Sequence, residues 1–323
     1  MPPPPSQRCP RWIDLRRDLP GVADLLATAF ADRLDEDGRA ALRQLRRIAR
    51  SRSAQRAYAA REIPGAPLYG FVWEEAGRIV GNVSLIPLRA QPKQYLIVNV
   101  AVHPAHRRQG IAAALMEAAL RHARQQGARA VWLQVETWNH GAIALYRRLG
   151  FADGEVVTLW KAPPDAHARA PTPPGLQIRP RLARRREWPA VKAWLQAAYP
   201  PLRAWHRPLA SWQALAPGWR GFLWRLFHPL AFRQWMATRA GQPRGAAIWL
   251  PATGAPSDAF LLAAPPDLPP AELAALLTPL RRQAHRPLRG ELPQGFLAEG
   301  LTAAGFQPTR HLRWMRWTPL TES

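Results

Sequence analysis

The spacing of hydrophobic and polar residues predicts two successive series of strands and helices along the chain. In the first series, apolar residues at helical spacing indicate amphipathic helices, and short apolar runs bounded by turn residues indicate strands. Helices are predicted at residues 22–30, 39–50, 111–126 and 141–149, and strands at residues 12–15, 69–74, 78–88, 95–102, 130–136 and 156–161. The order of these elements predicts a mixed α/β fold around one sheet.

A weaker form of the same order follows residue 175. Strands are predicted at residues 176–180, 233–239, 245–250, 259–263, 288–292 and 310–317, and helices at residues 188–198, 270–284 and 295–304. Leu149-Gly150-Phe151 and Ala304-Gly305-Phe306 hold the same place in the two series, each before a final strand. This correspondence predicts an internal duplication with weak sequence identity.

A proline-rich segment separates the two series. Residues 162–175 contain five prolines and no bulky hydrophobic residue, which is typical of a semi-rigid linker. We therefore divide the chain into a disordered leader at residues 1–10, a first domain at 11–162, the linker at 163–175 and a second domain at 176–320.

Composition indicates a globular protein. Of the 323 residues 47% are hydrophobic, which is enough to build two buried cores. Cys9 is the single cysteine, so neither a disulfide framework nor a cysteine metal site is possible. The first residues lack the apolar core of a signal peptide, and no run reaches the ~18 apolar residues of a membrane span. We expect a soluble protein of the reducing cytoplasm.

The chain is strongly basic, with 45 lysine and arginine residues against 22 acidic ones and a net charge of +23. Such an excess can steer a protein to nucleic acid, to anionic lipid or to an acidic substrate. It can equally reflect an arginine-rich coding bias. The arginines are scattered along both halves rather than gathered in one block, which favours the coding bias.

The segment from Val102 to Leu120 carries the first candidate chemistry. An apolar strand ends there, His-Pro and Arg-Arg-Gln-Gly turn the chain, and an alanine-rich helix begins after Gly110. The first turn of a helix exposes unpaired N–H groups and the positive end of the helix dipole, so it attracts anions. Glycine lets a phosphate approach the backbone, and Arg107 and Arg108 add positive charge. The turn therefore predicts a diphosphate ligand, although it matches neither a P-loop nor a dinucleotide fingerprint.

Two motifs around this turn resemble those of one enzyme family. Arg107-Arg-Gln-Gly-Ile-Ala112 resembles the Arg/Gln-x-x-Gly-x-Gly/Ala signature of the GNAT acetyltransferase superfamily, and the strand Asn99-Val-Ala-Val-His-Pro104 precedes it as in that family. Asn139-His-Gly-Ala-Ile-Ala-Leu-Tyr-Arg-Arg-Leu-Gly-Phe151 is similar to the family's Asn-x-x-Ala-x-x-Leu-Tyr-x-x-x-Gly-Phe segment. The resemblance covers residues 12–161 by motif and the second half by architecture alone. It implies two tandem GNAT folds of the α/β (α+β) class, each a mixed, mostly antiparallel sheet flanked by helices.

The resemblance also implies acetyl-CoA as co-substrate, held in a V-shaped opening between two parallel strands. The backbone of Val100, Ala101 and Val102 would bind the pantetheine arm and the thioester carbonyl. The N–H groups from Arg108 to Ala113 would cradle the pyrophosphate, and Asn139 would contact the cofactor arm. The implied cofactor-binding residues are Val100, Ala101, Val102, Arg107, Arg108, Gln109, Gly110, Ile111, Ala112, Ala113, Asn139 and Tyr146.

Acetyl transfer needs a neutral amine, a polarised carbonyl and a proton for the departing thiolate. The resemblance puts Tyr146 near the sulfur, where a phenol is a competent general acid; the alternative is a ring that only packs in the core. Strand alternation puts Gln134 and Glu136 on one face, which can look into the acceptor cleft. Related N-terminal-amine acetyltransferases often carry glutamate where Gln134 stands. Glu136 is therefore the candidate base, acting through a water, unless the amine loses its proton to solvent and Glu136 only pairs with an arginine.

Two histidines stand in the turn before Gly110. His103 and His106 flank Pro104 and lack a third ligand at metal-binding spacing. We therefore interpret them as surface residues and expect no metal.

The second half departs from the family at its own turn. Ala264-Pro-Pro-Asp-Leu-Pro-Pro-Ala271 has neither the glycine nor the arginines of the first half. Prolines donate no N–H bond, and Asp267 would repel a phosphate. We expect a degenerate domain that does not bind CoA in this way and instead shapes the acceptor site.

A segment rich in aromatic and basic residues lies early in the second half. It can cover the acceptor cleft, touch a membrane surface or stack on bases. The Pro217-Gly218 pair excludes one continuous amphipathic helix, which favours a helical pair packed on the degenerate sheet. Its members are Trp205, Trp212, Trp219, Arg220, Phe222, Leu223, Trp224, Arg225, Leu226 and Phe227.

Together, the motifs predict an N-acetyltransferase that transfers acetyl from acetyl-CoA to a primary amine. The acceptor stays open between a protein N-terminus, a polyamine, an antibiotic and an amino sugar. The alternative is a non-catalytic module that senses CoA or holds nucleic acid through its arginines, as the +23 charge and the missing glutamate at Gln134 suggest.

Overall fold

The computed structural model describes residues 9–59, 69–88, 91–200, 212–227, 231–252 and 254–319, so residues 1–8 of the predicted leader lie outside it. The chain forms two compact units, Met1–Gly154 with Arg313–Ser323, and Glu155–Leu312. These limits differ from the predicted domains, because residues 155–162 belong to the second unit and residues 313–323 to the first. The predicted linker, 163–175, contains no helix or strand and belongs to the second unit. Apolar spacing identifies a strand but not the sheet that it joins.

The elements of the first unit follow the predicted order, with one additional helix, α3. The helices are α1 (Leu15–Ala29), α2 (Glu36–Ala49), α3 (Arg52–Ala59), α4 (Ile111–Gln125) and α5 (His140–Arg148). The strands are β1 (Arg11–Trp12), β2 (Gly70–Glu75), β3 (Arg78–Pro87), β4 (Gln94–Val102) and β5 (Ala130–Glu136), after which β6 (Ala152–Ala162) begins.

The sheet of the first unit separates two cores. Strands β1 to β4 pair antiparallel in chain order, and β4 pairs with β5 in parallel. Alternate residues of a strand face opposite sides. Accordingly, Phe71 and Trp73 pack in the core that contains residues of α4 and α5, whereas Val72 packs with α1 and α2. Met315 and Trp317 also belong to the core of α4 and α5.

The second unit repeats this plan. Its helices are α6 (Trp188–Ala198), α7 (Gly218–Phe227), α8 (Pro270–Gln283) and α9 (Ala298–Ala303). Its strands are β7 (Leu176–Pro180), β8 (Arg233–Arg239), β9 (Gln242–Leu250), β10 (Asp258–Ala263) and β11 (Leu288–Pro293), and β12 (Gln307–Trp317) begins in this unit and ends in the first. Strands β7 to β10 pair antiparallel in chain order, β10 pairs with β11 in parallel, and β11 pairs antiparallel with β6.

Helix α1 begins at Leu15, seven residues before the predicted start. The Asp14 carboxylate accepts a hydrogen bond from the Arg16 N–H at 3.0 Å and caps the helix, and Pro20 lies inside it. The buried Asp18 in the first turn binds the Arg11 guanidinium through both carboxylate oxygens, at 2.6 and 2.7 Å. This ion pair between residues seven apart in sequence holds the start of the helix and shortens the predicted strand to β1.

The predicted packing of the aromatic segment is wrong for α7. Trp212 packs against the core of the second unit, which includes Leu215. In α7, however, four of the predicted members are exposed to solvent: Trp219, Phe222, Leu223 and Leu226. Trp205 lies outside the described residues, as do the side chains of Arg220, Trp224 and Phe227. Apolar composition favours burial, but it does not determine which face of a helix meets the core.

Candidate functional site

Strands β4 and β5 part at the predicted opening. Their parallel pairing joins Gln94–Ile97 to Ala130–Leu133, whereas β4 continues to Val102 and β5 to Glu136. The cause is a β-bulge at Asn99, whose backbone adopts a left-handed φ of 54°, and the register with β3 shifts there. Val100, Ala101 and Val102 therefore lie in the stretch of β4 that has left the ladder with β5.

A residue that the sequence prediction missed holds this bulge. The Asn82 side chain is 1% exposed, and its amide nitrogen donates to the Asn99 carbonyl at 2.8 Å and to the Ser84 hydroxyl at 3.3 Å. A buried amide must satisfy its hydrogen bonds within the protein. An asparagine inside the apolar strand predicted at 78–88 was the signal that could have identified this site.

Helix α4 begins without a side-chain cap, at the predicted anion site. Gly110 has a φ of 82°, and a Cβ built on it meets no atom within 4 Å. The first intrahelical hydrogen bond runs from the Ala114 N–H to the Gly110 carbonyl, 3.0 Å away. The N–H groups of Ile111, Ala112 and Ala113 precede that bond and point along the helix axis toward the turn. The helix start thus combines oriented donors with free space.

The two arginines of this turn differ in their surroundings. The Arg107 guanidinium donates to the Val102 carbonyl at 3.4 Å and to the Ala29 carbonyl at 3.5 Å, so it braces the turn against β4 and α1. Arg108 is exposed beside Gln109, and its backbone is left-handed with a φ of 65°. Arg108 therefore supplies charge at the helix start, while Arg107 also supports the turn.

The predicted face of β5 has the expected alternation. Leu133 and Val135 are buried in the core, whereas Gln134 and Glu136 are half-buried on the opposite face. The Arg33 guanidinium, from the connection between α1 and α2, lies 4.7 Å from the ring centre of Trp138, just after β5. This contact ties the α1–α2 connection to the loop that follows Glu136.

Helix α5 carries the other motif residues. The Asn139 side-chain oxygen accepts a hydrogen bond from the Ala142 N–H at 3.3 Å and caps the helix. Tyr146 is buried in the core, with its ring centre 6.0 Å from that of Phe151. Burial raises the pKa of Tyr146 to about 12, because the ionised phenolate would lose its hydration. The phenol consequently keeps its proton throughout the neutral range.

Replacing Tyr146 by phenylalanine should change how stability depends on alkaline pH. Because the folded pKa of about 12 exceeds the usual value of 10.0, this group's contribution is complete below pH 10 and is lost as the pH rises through 12. The wild type should therefore lose about 2 to 3 kcal/mol more unfolding free energy over that range than the variant does. Urea unfolding at the two ends of the range measures the difference. Tyr69→Phe, at a residue that is 40% exposed, is the control and should behave like the wild type.

The histidines of the turn make local contacts. The His103 Nδ1 atom accepts a hydrogen bond from the Ala105 N–H at 3.3 Å, and the His106 Nε2 atom lies 3.5 Å from a Glu75 carboxylate oxygen. Within the ranges that the structure describes, histidine, cysteine and acidic side chains form no cluster of three or more suited to a metal ion.

The corresponding position of the second unit is built differently. Helix α8 begins at Pro270 after Pro269, and its first turn carries the buried Glu272, which pairs with Arg239 at 2.9 Å and Arg244 at 3.0 Å. A carboxylate there already occupies the positive end of the helix dipole. On β10, the Leu262 N–H donates to the hydroxyl of the buried Tyr199 at 2.9 Å.

Residues 39–151 match the model of the Acetyltransferase (GNAT) family. They form a GNAT-family domain. The matched range contains the parted strands, the uncapped start of α4, and both motifs.

Two N-acetyltransferases are similar in sequence to part of this chain. The chain is similar to N-acetyltransferase 8B from Rattus norvegicus, which is 41% identical over 86 residues, covering 25% of this chain and 39% of that protein. N-acetyltransferase 8 from Mus musculus is 38% identical over 84 residues, covering 25% of this chain and 37% of that protein. The chain thus spans about two-fifths of the length of these relatives.

Solved structures resemble the GNAT domain together with the second unit. A GCN5-related N-acetyltransferase from Sphaerobacter thermophilus has a TM-score of 0.65 at 15% identity, covering 97% of this chain and 96% of that chain. A tandem GNAT protein from the clavulanic acid biosynthesis pathway has a TM-score of 0.55 at 16% identity, covering 96% of this chain and 98% of that chain. At these identities the likeness concerns the fold alone. The predicted fold class, two tandem GNAT folds, is confirmed.

Proposed function

We propose that the GNAT domain is an N-acetyltransferase that moves an acetyl group from acetyl-CoA to a primary amine. The observation that carries the proposal is the coincidence in one unit of the parted strands β4 and β5 with the uncapped start of α4. The family of the domain and the names of its relatives support the same reaction class.

The backbone of this unit fits acetyl-CoA. The N–H groups from Arg108 to Ala113 and the open space at Gly110 suit a pyrophosphate. The backbone of Val100–Val102 does not pair with β5, so its polar groups on that side suit the peptide-like pantetheine arm, which would bind there like an added strand. Asn139 would offer its side-chain amide nitrogen, because its oxygen already caps α5.

The second unit has a different role in this proposal. The Glu272 carboxylate, paired with Arg239 and Arg244, stands at the start of α8, where an anion would otherwise bind. On β10, the strand before α8, the Leu262 N–H already donates its hydrogen bond to the Tyr199 hydroxyl. Both observations support a degenerate repeat without its own CoA. We further expect the enzyme to act in the reducing cytoplasm, because the single Cys9 can form no intrachain disulfide.

Three features of the chain would promote the reaction. When bound, acetyl-CoA supplies an activated acetyl thioester, and backbone N–H groups of β4 would polarise its carbonyl. Tyr146 would give its proton to the departing sulfur, and its raised pKa keeps that proton on the phenol at neutral pH. Glu136 would take a proton from the amine through a water. The C–N bond forms as the C–S bond breaks, with one proton released and one consumed.

Replacing Glu136 by glutamine should lower kcat/KM about tenfold to a hundredfold near neutral pH, since a base then no longer removes the amine proton. The difference from the wild type should narrow as the pH approaches the pKa of the amine, because solvent then supplies the neutral amine. Initial rates across a pH series measure this. Glu117→Gln, in a partly exposed ion pair on α4, is the matched control. An unchanged kcat/KM at neutral pH would exclude Glu136 as the base.

Release of the CoA thiol on a panel of amines tests the proposed reaction. The panel should include a peptide with a free N-terminus, a polyamine, an aminoglycoside and an amino sugar. We expect thiol release above the rate of hydrolysis with at least one of them. Acetyl-CoA binding without release on any amine would contradict the transferase proposal and favour a CoA-sensing module.

A further inference from the structure

Helix α7 of the second unit turns an apolar stripe toward solvent. Trp219, Phe222, Leu223 and Leu226 are 62%, 60%, 39% and 61% exposed. Their spacing of three and four residues puts them on one face of the helix, within about 100° of arc. A soluble protein normally buries such a stripe, and a contiguous exposed one marks an interaction surface.

Contacts on the other side fix this orientation. Gly221 is buried, and a Cβ there would collide with the Ala216 carbonyl. The Arg225 guanidinium donates to the Ala214 carbonyl at 2.8 Å and to the Ala216 carbonyl at 3.2 Å. The helix is thus held through its glycine and arginine side, and the exposure of the stripe follows from this attachment.

Positive charge borders the stripe. Among the side chains that the structure describes within residues 181–200 and 212–227, six belong to lysine or arginine and one, that of Glu187, is acidic. Glu187 is 1% exposed and binds Arg181 at 2.6 and 2.8 Å, so its charge is already paired. Arg184, Arg185 and Arg186 are exposed, and the Arg185 guanidinium nitrogens lie 3.5 Å from the Cβ position of Gly218, where α7 begins. The local surface is therefore apolar with a cationic edge.

We propose that α7 docks the protein on the surface of an anionic lipid bilayer. Trp219 and Phe222 would lie at the level of the headgroups, and Leu223 and Leu226 would enter the acyl region. The adjoining arginines would bind lipid phosphates while their aliphatic stems cover apolar surface. Aliphatic leucines do not stack on bases, so the stripe fits lipid better than nucleic acid. Among the described helices none is long and apolar enough to cross a membrane.

Vesicle flotation with the full chain tests the proposal. The probes are vesicles of phosphatidylcholine alone and vesicles in which phosphatidylglycerol replaces about a third of it. We expect binding to the anionic vesicles that weakens with added salt, and little binding to the neutral ones. Phe222→Ser with Leu226→Ser should weaken binding at least about tenfold, without any change of charge. The far-ultraviolet circular dichroism and the thermal unfolding transitions of this double variant should match those of the wild type, which verifies its fold independently of the proposed function.

A second pair of variants separates local from overall charge. Arg185→Gln with Arg186→Gln should weaken anionic binding about thirtyfold, since each of the two nearby cations contributes about 1 kcal/mol. Arg169→Gln with Arg179→Gln removes the same charge from exposed positions outside residues 181–227 and should have a smaller effect. Three outcomes would overturn the proposal: no vesicle binding, binding that the serine variants retain, or a lipid-free dimer that the serine variants dissociate. In the last case a second copy would cover the stripe.

Discussion

Replacing Gly110 by glutamate is expected to weaken acetyl-CoA binding at least about a hundredfold, because the side chain would block the N–H groups at the start of α4 and repel the pyrophosphate. The glycine has open space where a Cβ would stand, directly before the free N–H groups of α4. A glutamate side chain would enter that space and put a negative charge at the proposed pyrophosphate site. Calorimetric titration of acetyl-CoA into the purified variant measures the loss.

The control for this prediction is Gly77→Glu. Gly77 lies in the turn between β2 and β3, and it has a φ of 74° and no atom within 4 Å of its Cβ position. The two variants therefore share a strain of about 1 to 2 kcal/mol from a left-handed non-glycine residue. The Gly77 variant should bind acetyl-CoA as the wild type does. Undiminished affinity in the Gly110 variant would mean that the pyrophosphate does not bind at the start of α4.

Replacing Tyr146 by phenylalanine is expected to lower kcat by a factor of about a hundred to ten thousand while the Kd of acetyl-CoA stays unchanged. Phenylalanine keeps the ring that packs near Phe151, so the variant loses only the hydroxyl proton. Because burial raises the pKa of Tyr146 to about 12, the wild-type rate should show no decline from its ionisation below pH 10.

Single-turnover kinetics with saturating amine measure the chemical step of this variant directly. Tyr95→Phe is the matched control, since Tyr95 is a half-buried residue of β4 that packs against the same core. It should retain the wild-type rate. If the Tyr146 variant kept the wild-type rate across the pH series, Tyr146 would serve only to pack the core. Another group would then have to protonate the departing thiolate.

Most elements of the fold could be predicted because local spacing determines them. Strand β5 and helix α6 have the predicted bounds, and Gly150 ends α5 with a left-handed φ of 88° as expected of a helix cap. Helix α1 and the outward face of α7 could not be predicted, because an ion-pair network that joins Arg11 to both Asp18 and the distant Glu74, and a buried glycine, decide them. Spacing along one segment carries no information about such partners.

The candidate site shows the same division. The motifs located the turn at Gly110, because a glycine before a helix is a local feature, whereas the opening between β4 and β5 was expected from their family resemblance alone. They did not identify the bulge at Asn99 or the Asn82 side chain that holds it, because a bulge depends on the register between strands. The roles of Val100–Val102, Arg107–Ala113, Glu136, Asn139 and Tyr146 in binding and catalysis stay predictions.

The path of β12 has a consequence for how the protein is made. Met315 and Trp317 are buried in the core of the first unit, 0% and 6% exposed, yet that unit's other residues end at Gly154. A ribosome needs on the order of ten seconds to synthesise the intervening residues. During that time the core of the first unit would lack Met315 and Trp317, and part of its apolar surface would stay exposed while the second unit is synthesised. The first unit is therefore expected to bind chaperones during translation. A chain truncated anywhere before residue 313 would leave the core of that unit incomplete.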